Sequence, residues 1–224
     1  IKEKPYVEEG DRTARSKVKI VDLFAGIGGF HYGIGAAAAK INKGVKALLV
    51  SELDSNCRAT YSFNHNCEVQ GDINKVSLRG ITETADIVTA GFPCQPFSKS
   101  GKQMGMEETR GTLFWNIAKI IETHKPSIVL LENVRNITGP RHMHEWEVII
   151  QTLRDLGYRV SEDPHVVSPH LIKPEFGGRP QVRNRVFIAA TLIPKGKRDR
   201  SADVDVPNLE SVMMGWDPQK WNLE

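Results

Sequence analysis

Short apolar runs, each closed by glycine or an acidic residue and followed by a stretch of helical period, alternate along most of the chain. Val18-Lys19-Ile20-Val21-Asp22-Leu23-Phe24 is β-branched and apolar and predicts a strand. Ala25-Gly26-Ile27-Gly28-Gly29 breaks it, and an alanine-rich helical stretch runs to about Lys40. Val45 to Val50 predicts a second strand, Ser55 to Phe63 a helix with Ser55 as its N-cap, and Asp86 to Ala90 a third strand. Thr112 to His124 reads as a helix and Ser127 to Leu131 as a buried strand. His142 to Leu156 then reads as a helix ended by Gly157, Tyr158 to Val160 as the start of a strand, and Arg185 to Ala190 as another. Parallel strands need helix-length crossovers, so the alternation predicts an α/β fold: a doubly wound, mostly parallel sheet with helices on both faces. From about Pro194 the period fades into Lys195-Gly196-Lys197-Arg198-Asp199-Arg200, a solvated linker. The expected organisation is a polar extension over 1–17, one α/β domain over 18–193, and a linker over 194–224.

Composition narrows the class without naming a function. The 224 residues are 40% hydrophobic, ordinary for a globular core. The longest apolar runs are strand-sized, far short of the roughly 20 residues that span a bilayer, so no membrane is expected. Three cysteines, Cys57, Cys67 and Cys94, lack CxxC spacing, which argues against a disulfide framework or zinc ribbon and for the reducing cytoplasm. A net charge of +3 is too small to point to nucleic acid, because opposite faces can differ in sign. The chain begins without methionine and ends at Trp221-Asn222-Leu223-Glu224 with no closing element, so a piece of a longer protein is expected.

In open α/β sheets ligands bind outside the carboxyl ends of the strands. The residues there are Gly26, Gly28 and Gly29 after the first strand, Glu52 and Asp54 after the second, then Gly71-Asp72-Ile73, Gly91-Phe92-Pro93-Cys94 and Glu132-Asn133-Val134. A glycine turn lets a ligand approach the backbone, and a carboxylate after the next strand suits ribose hydroxyls. The turn is not a full GxGxxG and by itself is equally well structural; Glu52 and Asp54 also read as solvated carboxylates at a helix start. With Glu52 at the expected distance and Asp72 able to accept from an adenine amino group, a nucleoside cofactor is the better reading.

On these residues the chain resembles the cytosine carbon-5 DNA methyltransferases, and its GFPCQPFS wording is nearest to their bacterial modification branch. Asp22 to Gly29 looks like the family's S-adenosylmethionine motif, Gly91 to Ser98 like its Pro-Cys loop, and Glu132-Asn133-Val134 like its second catalytic motif. Gln181-Val182-Arg183-Asn184-Arg185 is similar to its QxRxR segment, and Arg110 to Trp115 to the segment before a cofactor-contacting helix. The resemblance covers Lys19 to Ala190, about three quarters of the chain. It implies S-adenosylmethionine as cofactor, with S-adenosylhomocysteine as product, no metal, and double-stranded DNA as partner. Phe24, Ala25, Gly26, Ile27, Gly28, Gly29, Glu52, Leu53, Asp72, Ile73, Pro93 and Leu113 would surround the cofactor. Cys94, Glu132, Arg183 and Arg185 would surround the base, and Gln95, Ser98 and Lys99 would meet the DNA. The family places target recognition after the QxRxR segment, so a separate C-terminal part or subunit is expected to carry it, with the chain itself monomeric.

The chemistry suits these residue types. Carbon 5 of cytosine is a weak nucleophile until a thiolate adds at carbon 6, and a thiol that adds can later be eliminated. Cys94 needs a positive environment or a concerted proton acceptor, and Arg183 or Arg185 helps supply it. Glu132, protonated in a dry pocket, would donate to ring nitrogen 3 and accept from the exocyclic amine. The base that removes the carbon-5 proton is not identified. A base in a duplex hides carbon 6, so the target must be flipped out. Gln95 to Arg110 reads equally as a loop that closes over the flipped nucleotide or as ordinary surface.

Other residues read as bland. His142, His144 and Glu145 do not share a helix face, Cys57 and Cys67 read as small fillers of a helix or strand, and Trp115 and Trp146 as core. Two rival readings remain: a cofactor- or DNA-binding module, or one subunit of a split methyltransferase, that does no chemistry alone; and a nicotinamide oxidoreductase, which leaves PCQ and ENV without a role.

Overall fold

The computed structural model of the chain describes residues 16–77, 81–93, 113–160, 164–194 and 196. It divides into two compact units, Ile1–Leu131 and Glu132–Glu224. The first contains β1 (Lys17–Leu23), α1 (Gly29–Ala39), β2 (Gly44–Ser51), α2 (Ser55–His65), β3 (Ile87–Gly91) and α3 (Leu113–His124). β1 lies between β2 and β3 and pairs parallel with both. Ile20, Val21 and Leu23 are fully buried. Successive strand residues face opposite ways, so both faces of β1 are covered, as the apolar run from Ile20 requires. Ala38 of α1 packs on Ile20 and Val45, while Tyr61 of α2 packs on Ala25 and Val50. α3 buries Phe114, Ile117, Ala118 and Ile121 at helical spacing. β2 carries one residue more than β1, because Ile20 pairs with Ala47 but Val21 pairs with Leu49.

β4 (Ile128–Val134) starts in the first unit, where the Ile128 N–H donates to the Asp86 carbonyl at 3.1 Å, and ends in the second. The second unit continues with α4 (Met143–Asp155), β5 (Tyr158–Val160), β6 (His165–Val167) and β7 (Arg185–Leu192). α4 buries Trp146, Ile149, Ile150 and Leu153, one apolar stripe. β7 buries Val186, Ile188 and Ala190 in alternation and pairs antiparallel with β5 and β6.

The α/β class and the mainly parallel pairing agree with the sequence reading, and the details differ where local chemistry decides. β1 stops at Leu23 because Phe24 turns left-handed, with φ of 54°. Asp54, not Ser55, caps α2: its side chain accepts from the Cys57 N–H at 2.8 Å, three residues on, as an N-cap should. β4 runs past Leu131, so Glu132-Asn133-Val134 forms the end of the strand rather than the turn after it. β6, three half-buried residues, lacks a pattern to predict it. Cys67 sits in the connection after α2, against the Tyr61 cluster, rather than in a helix or strand. Trp146 is core, whereas Trp115 is only half-buried. Among the described residues no helix is long and apolar enough to cross a membrane.

Candidate active site

At the carboxyl end of β1 the chain reverses through Phe24 (φ 54°), Gly26 (φ 54°) and Gly28 (φ 98°), all left-handed. That conformation disfavours any side chain with a Cβ, so a phenylalanine there is strained. At Gly28 there is also no room, because a Cβ would lie 2.8 Å from His65 Cδ2 and 3.1 Å from Tyr61 Cδ2. Two rings of α2 therefore press the turn from one side and leave it only a glycine there.

The carboxylate predicted to meet a ribose is locked onto this turn. Glu52 Oε2 accepts the Gly26 N–H and Oε1 accepts the Asp54 N–H, both at 2.8 Å. Arg58 Nη1 holds the same segment by donating to the carbonyls of Glu52 at 3.1 Å and Leu53 at 2.5 Å. The Glu52 N–H donates to the Gln70 carbonyl at 2.9 Å and Ser51 Oγ to that of Gly71 at 2.9 Å, which anchors the approach to Asp72. Asp72 Oδ1 accepts from the backbone and side chain of Asn74 at 3.0 and 2.8 Å, and the backbone bond above all draws its carboxyl below the usual range. Ile73 is buried behind it. Ile27 and Leu53, on either strand end, are 60% and 73% exposed, large apolar side chains with little protein against them. The structure thus brings together Phe24 to Gly29, Glu52, Leu53, Asp72 and Ile73. Pro93 follows Phe92, whose ring lies 5.9 Å from that of Phe114, next to Leu113 at the start of α3. No described contact joins Pro93 or Leu113 to the turn. A cleft of about 500 Å³ lies between the 73–77 segment and α3, lined by Asn74, Asn116 and Lys119 over Ile73 and Ile120. Its lining includes none of the expected cofactor residues except Ile73.

Beneath the turn is a buried polar chain of which the sequence motif contains only Asp22. Asp22, fully buried, accepts from Thr89 Oγ1 at 2.7 Å and from the Tyr61 hydroxyl at 3.1 Å. Tyr61 in turn pairs with His31 Nδ1 at 2.8 Å, and the His31 ring stacks on His65 at 3.9 Å. Burial pushes the Asp22 carboxyl up to about 7, opposed by the Thr89 and Tyr61 bonds and aided by the charge of Glu52. Burial, with the Asp22 charge second, drives the Tyr61 phenol far upward, so it stays a donor.

The second unit holds the other expected residues. Glu132 Oε1 lies 2.8 Å from Arg185 Nε in an ion pair, and both side chains are about a quarter exposed, at 24% and 22%. The structure thus brings together two of the residues expected around the base, Glu132 and Arg185. Arg183 is exposed, and its guanidinium makes no hydrogen bond or ion pair among the described residues. Its backbone is fixed, since the Arg183 N–H donates to Ser168 Oγ at 2.8 Å, and Ser168, fully buried, also bonds His170 Nδ1 at 2.8 Å. Pro169 accepts the Arg179 N–H at 3.0 Å, so two adjacent residues hold the returning segment. His142 Nδ1 lies 3.7 Å from Glu145 Oε2, a pairing along one helix, and His144 is exposed. Cys94, Gln95, Ser98 and Lys99 lie outside the described residues.

Residues 18–213 match the family model of the C-5 cytosine-specific DNA methylase. The chain is similar to the Type II methyltransferase M.AluI of Cellulosimicrobium cellulans, 53% identical over 83% of this chain and 36% of that protein. It is also similar to M.HpaII of Haemophilus parainfluenzae, 40% identical over 82% of this chain and 48% of the relative. The chain therefore spans about half or less of the length of these curated relatives. Among solved structures, the Dnmt2 methyltransferase of S. pombe shares the fold with a TM-score of 0.58 at 22% identity, over 82% of this chain and 52% of that one. The Entamoeba histolytica methyltransferase EhMeth does so with a TM-score of 0.54 at 20% identity, over 81% and 55%.

Proposed function

Since the chain belongs to the C-5 cytosine-specific DNA methylase family, we propose that it is the catalytic part of an S-adenosylmethionine-dependent DNA cytosine-5 methyltransferase of the bacterial modification type. The observation that carries the proposal is the Glu52 carboxylate fastened at 2.8 Å to a left-handed glycine turn at the end of β1. This arrangement fits a nucleoside cofactor: a carboxylate for ribose hydroxyls, a backbone that a ligand can approach, and exposed Ile27 and Leu53 for the faces of a purine. Asp72 Oδ2, which accepts nothing among the described residues, suits the adenine amino group. Residues 18–193 form the cofactor-binding and catalytic region in this reading.

When bound, S-adenosylmethionine supplies the methyl group that reaches carbon 5 of the target cytosine and leaves as S-adenosylhomocysteine. The chain's own groups prepare the ring. Cys94 Sγ, as thiolate, forms a bond to carbon 6 while a proton passes to ring nitrogen 3, and the electron pair so released makes carbon 5 nucleophilic. Glu132 is the group assigned to nitrogen 3 and the exocyclic amine. Arg185 holds its Oε1, and Oε2 accepts nothing among the described residues. With Arg185 so engaged, Arg183 is the guanidinium suited to a phosphate or ring carbonyl of the flipped nucleotide. After methylation the carbon-5 proton departs to a base, the carbon–sulfur bond breaks, the thiolate is restored, and nitrogen 3 gives its proton back to Glu132. Gln95, Ser98 and Lys99 meet the DNA around the extruded nucleotide. Sequence choice is assigned to a separate C-terminal part or subunit, because base edges are read in the major groove by residues beyond the catalytic motifs. The piece is read as a monomer that acts on double-stranded DNA in the cytoplasm, binding cofactor weakly and methylating poorly alone.

Duplex DNA containing 5-fluorocytosine, with the C-terminal part supplied, tests the proposal. Fluorine at carbon 5 blocks the elimination, so a covalent adduct is expected with the native chain and none with Cys94→Ser. No adduct in any context would overturn the catalytic reading in favour of a binding module.

A further inference from the structure

We infer that Tyr61 is a positioning residue of the cofactor site, which ties the buried carboxyl of Asp22 and the imidazole of His31 to the Ala25–Gly29 turn and so sets the affinity for the cofactor. The inference rests on the cofactor reading above. Tyr61 is fully buried, and its ring packs on Ala25 and Val50. The ring edge reaches 3.1 Å from the point where a Gly28 Cβ would stand, while its hydroxyl lies 3.1 Å from Asp22 Oδ2 and 2.8 Å from His31 Nδ1. A phenylalanine would fill the same core. The hydroxyl therefore needs another reason, and it is the link between the carboxyl that precedes the turn and the rings that support it.

The hydrogen count shows how the chain responds to charge. A phenol has one hydrogen, so when Tyr61 donates to Asp22, His31 Nδ1 must carry the hydrogen that completes its own bond to Tyr61. Thr89 likewise has one hydrogen and two acceptors, Asp22 Oδ1 at 2.7 Å and the Val21 carbonyl at 3.3 Å. With Asp22 ionised, Thr89 donates to it. With Asp22 neutral, the carboxyl donates to Thr89, which passes its hydrogen to Val21. The buried network thus takes up or gives off one proton without leaving a donor unpaired. The groups that face Asp22 are Thr89 from β3 and Tyr61 from α2, with Glu52 at the end of β2 and Cys67 after α2 at longer range; His31 and His65 stand one side chain further off. Burial and the Glu52 charge favour the neutral carboxyl, and a sulfonium cation bound at the turn favours the ionised one.

Titration calorimetry of the full chain with S-adenosylmethionine and S-adenosylhomocysteine between pH 6 and 8 tests this. Tyr61→Phe keeps the ring and is expected to weaken binding roughly 3- to 10-fold, the effect of one buried hydrogen bond. His31→Phe, which keeps a ring against His65, should lose less. Affinity of the native chain for S-adenosylmethionine should rise with pH more than that for the uncharged thioether, and Asp22→Asn should flatten this rise; a merely structural role would lower the melting temperature without moving the pH profile. Native affinity in both folded aromatic variants, or a native pH slope in Asp22→Asn, would overturn the inference. A native chain that binds neither ligand at any pH would instead overturn the cofactor reading on which it rests.

Discussion

The two units hold their candidate residues by different means. In the first, the candidate site is built into the backbone: three left-handed residues in five, a glycine with two rings where a Cβ would go, and a carboxylate fixed by two N–H groups. In the second, the candidate residues are charged side chains at the start and end of strands, Arg185 against Glu132, with Arg183 held, among the described residues, through its backbone. A nucleoside is large and always the same, so a rigid mould suits it. A reacting base changes its charge during the reaction, and groups that can shift a proton or a contact suit that better.

This contrast can be broken by substitution. Glu132→Gln should lower methyl transfer by about 10²- to 10⁴-fold, the usual range for a lost acid–base group, while calorimetry shows cofactor affinity unchanged. A joint fall in both would mean that the two units do not divide the work. Gly28→Ala places a Cβ on His65 and Tyr61 at φ 98°. It should weaken cofactor binding and lower the melting temperature together, by roughly 1–3 kcal/mol in folding free energy. A variant with native melting temperature and native affinity would show that the mould is not rigid.

Asp22 gives a test by pH. Its carboxyl is raised from 3.8 to about 7 in the folded chain, so the folded state binds a proton that the unfolded state has released. The stability this confers is full below the unfolded value and is lost as pH rises through about 7. The urea midpoint should therefore fall between pH 5 and 8, and the fall should be smaller in Asp22→Asn. The smallest effect belongs to the second unit: Ser168→Ala removes the acceptor of the Arg183 N–H and should cost about 1–2 kcal/mol by urea denaturation, with cofactor affinity intact.

The sequence revealed most where a requirement is local. The apolar runs around Ile20, Leu49, Val88 and Val129 became strands because a buried parallel sheet needs them, and Glu52 was legible because it follows β2 by one residue. Asp54 was missed as a cap because Asp54 and Ser55 are both good capping residues, and only the bond to the Cys57 N–H tells them apart. The ion pair of Glu132 and Arg185, the Ser168 anchor and the Tyr61 chain join residues 53, 15 and 39 positions apart. Such meetings are set by tertiary packing and leave no mark on any single segment.

The extra residue in β2 has a consequence for how this region tolerates change in length. Because successive strand residues alternate faces, an inserted residue reverses the aim of all that follow unless a bulge absorbs it, as two residues opposite one do here. Beyond Ala47 the pairing resumes at Leu49, and the Glu52 carboxylate three positions later meets Gly26. Deleting Leu48 would make the two strands pair evenly and leave Leu49 opposite Val21, so the Glu52 carboxylate would keep its place at the turn. The irregularity thus acts as slack that is already taken up: losing the extra residue at this point keeps the register, whereas a further residue gained or lost elsewhere in β2 would shift the pairing that carries Glu52 to the turn.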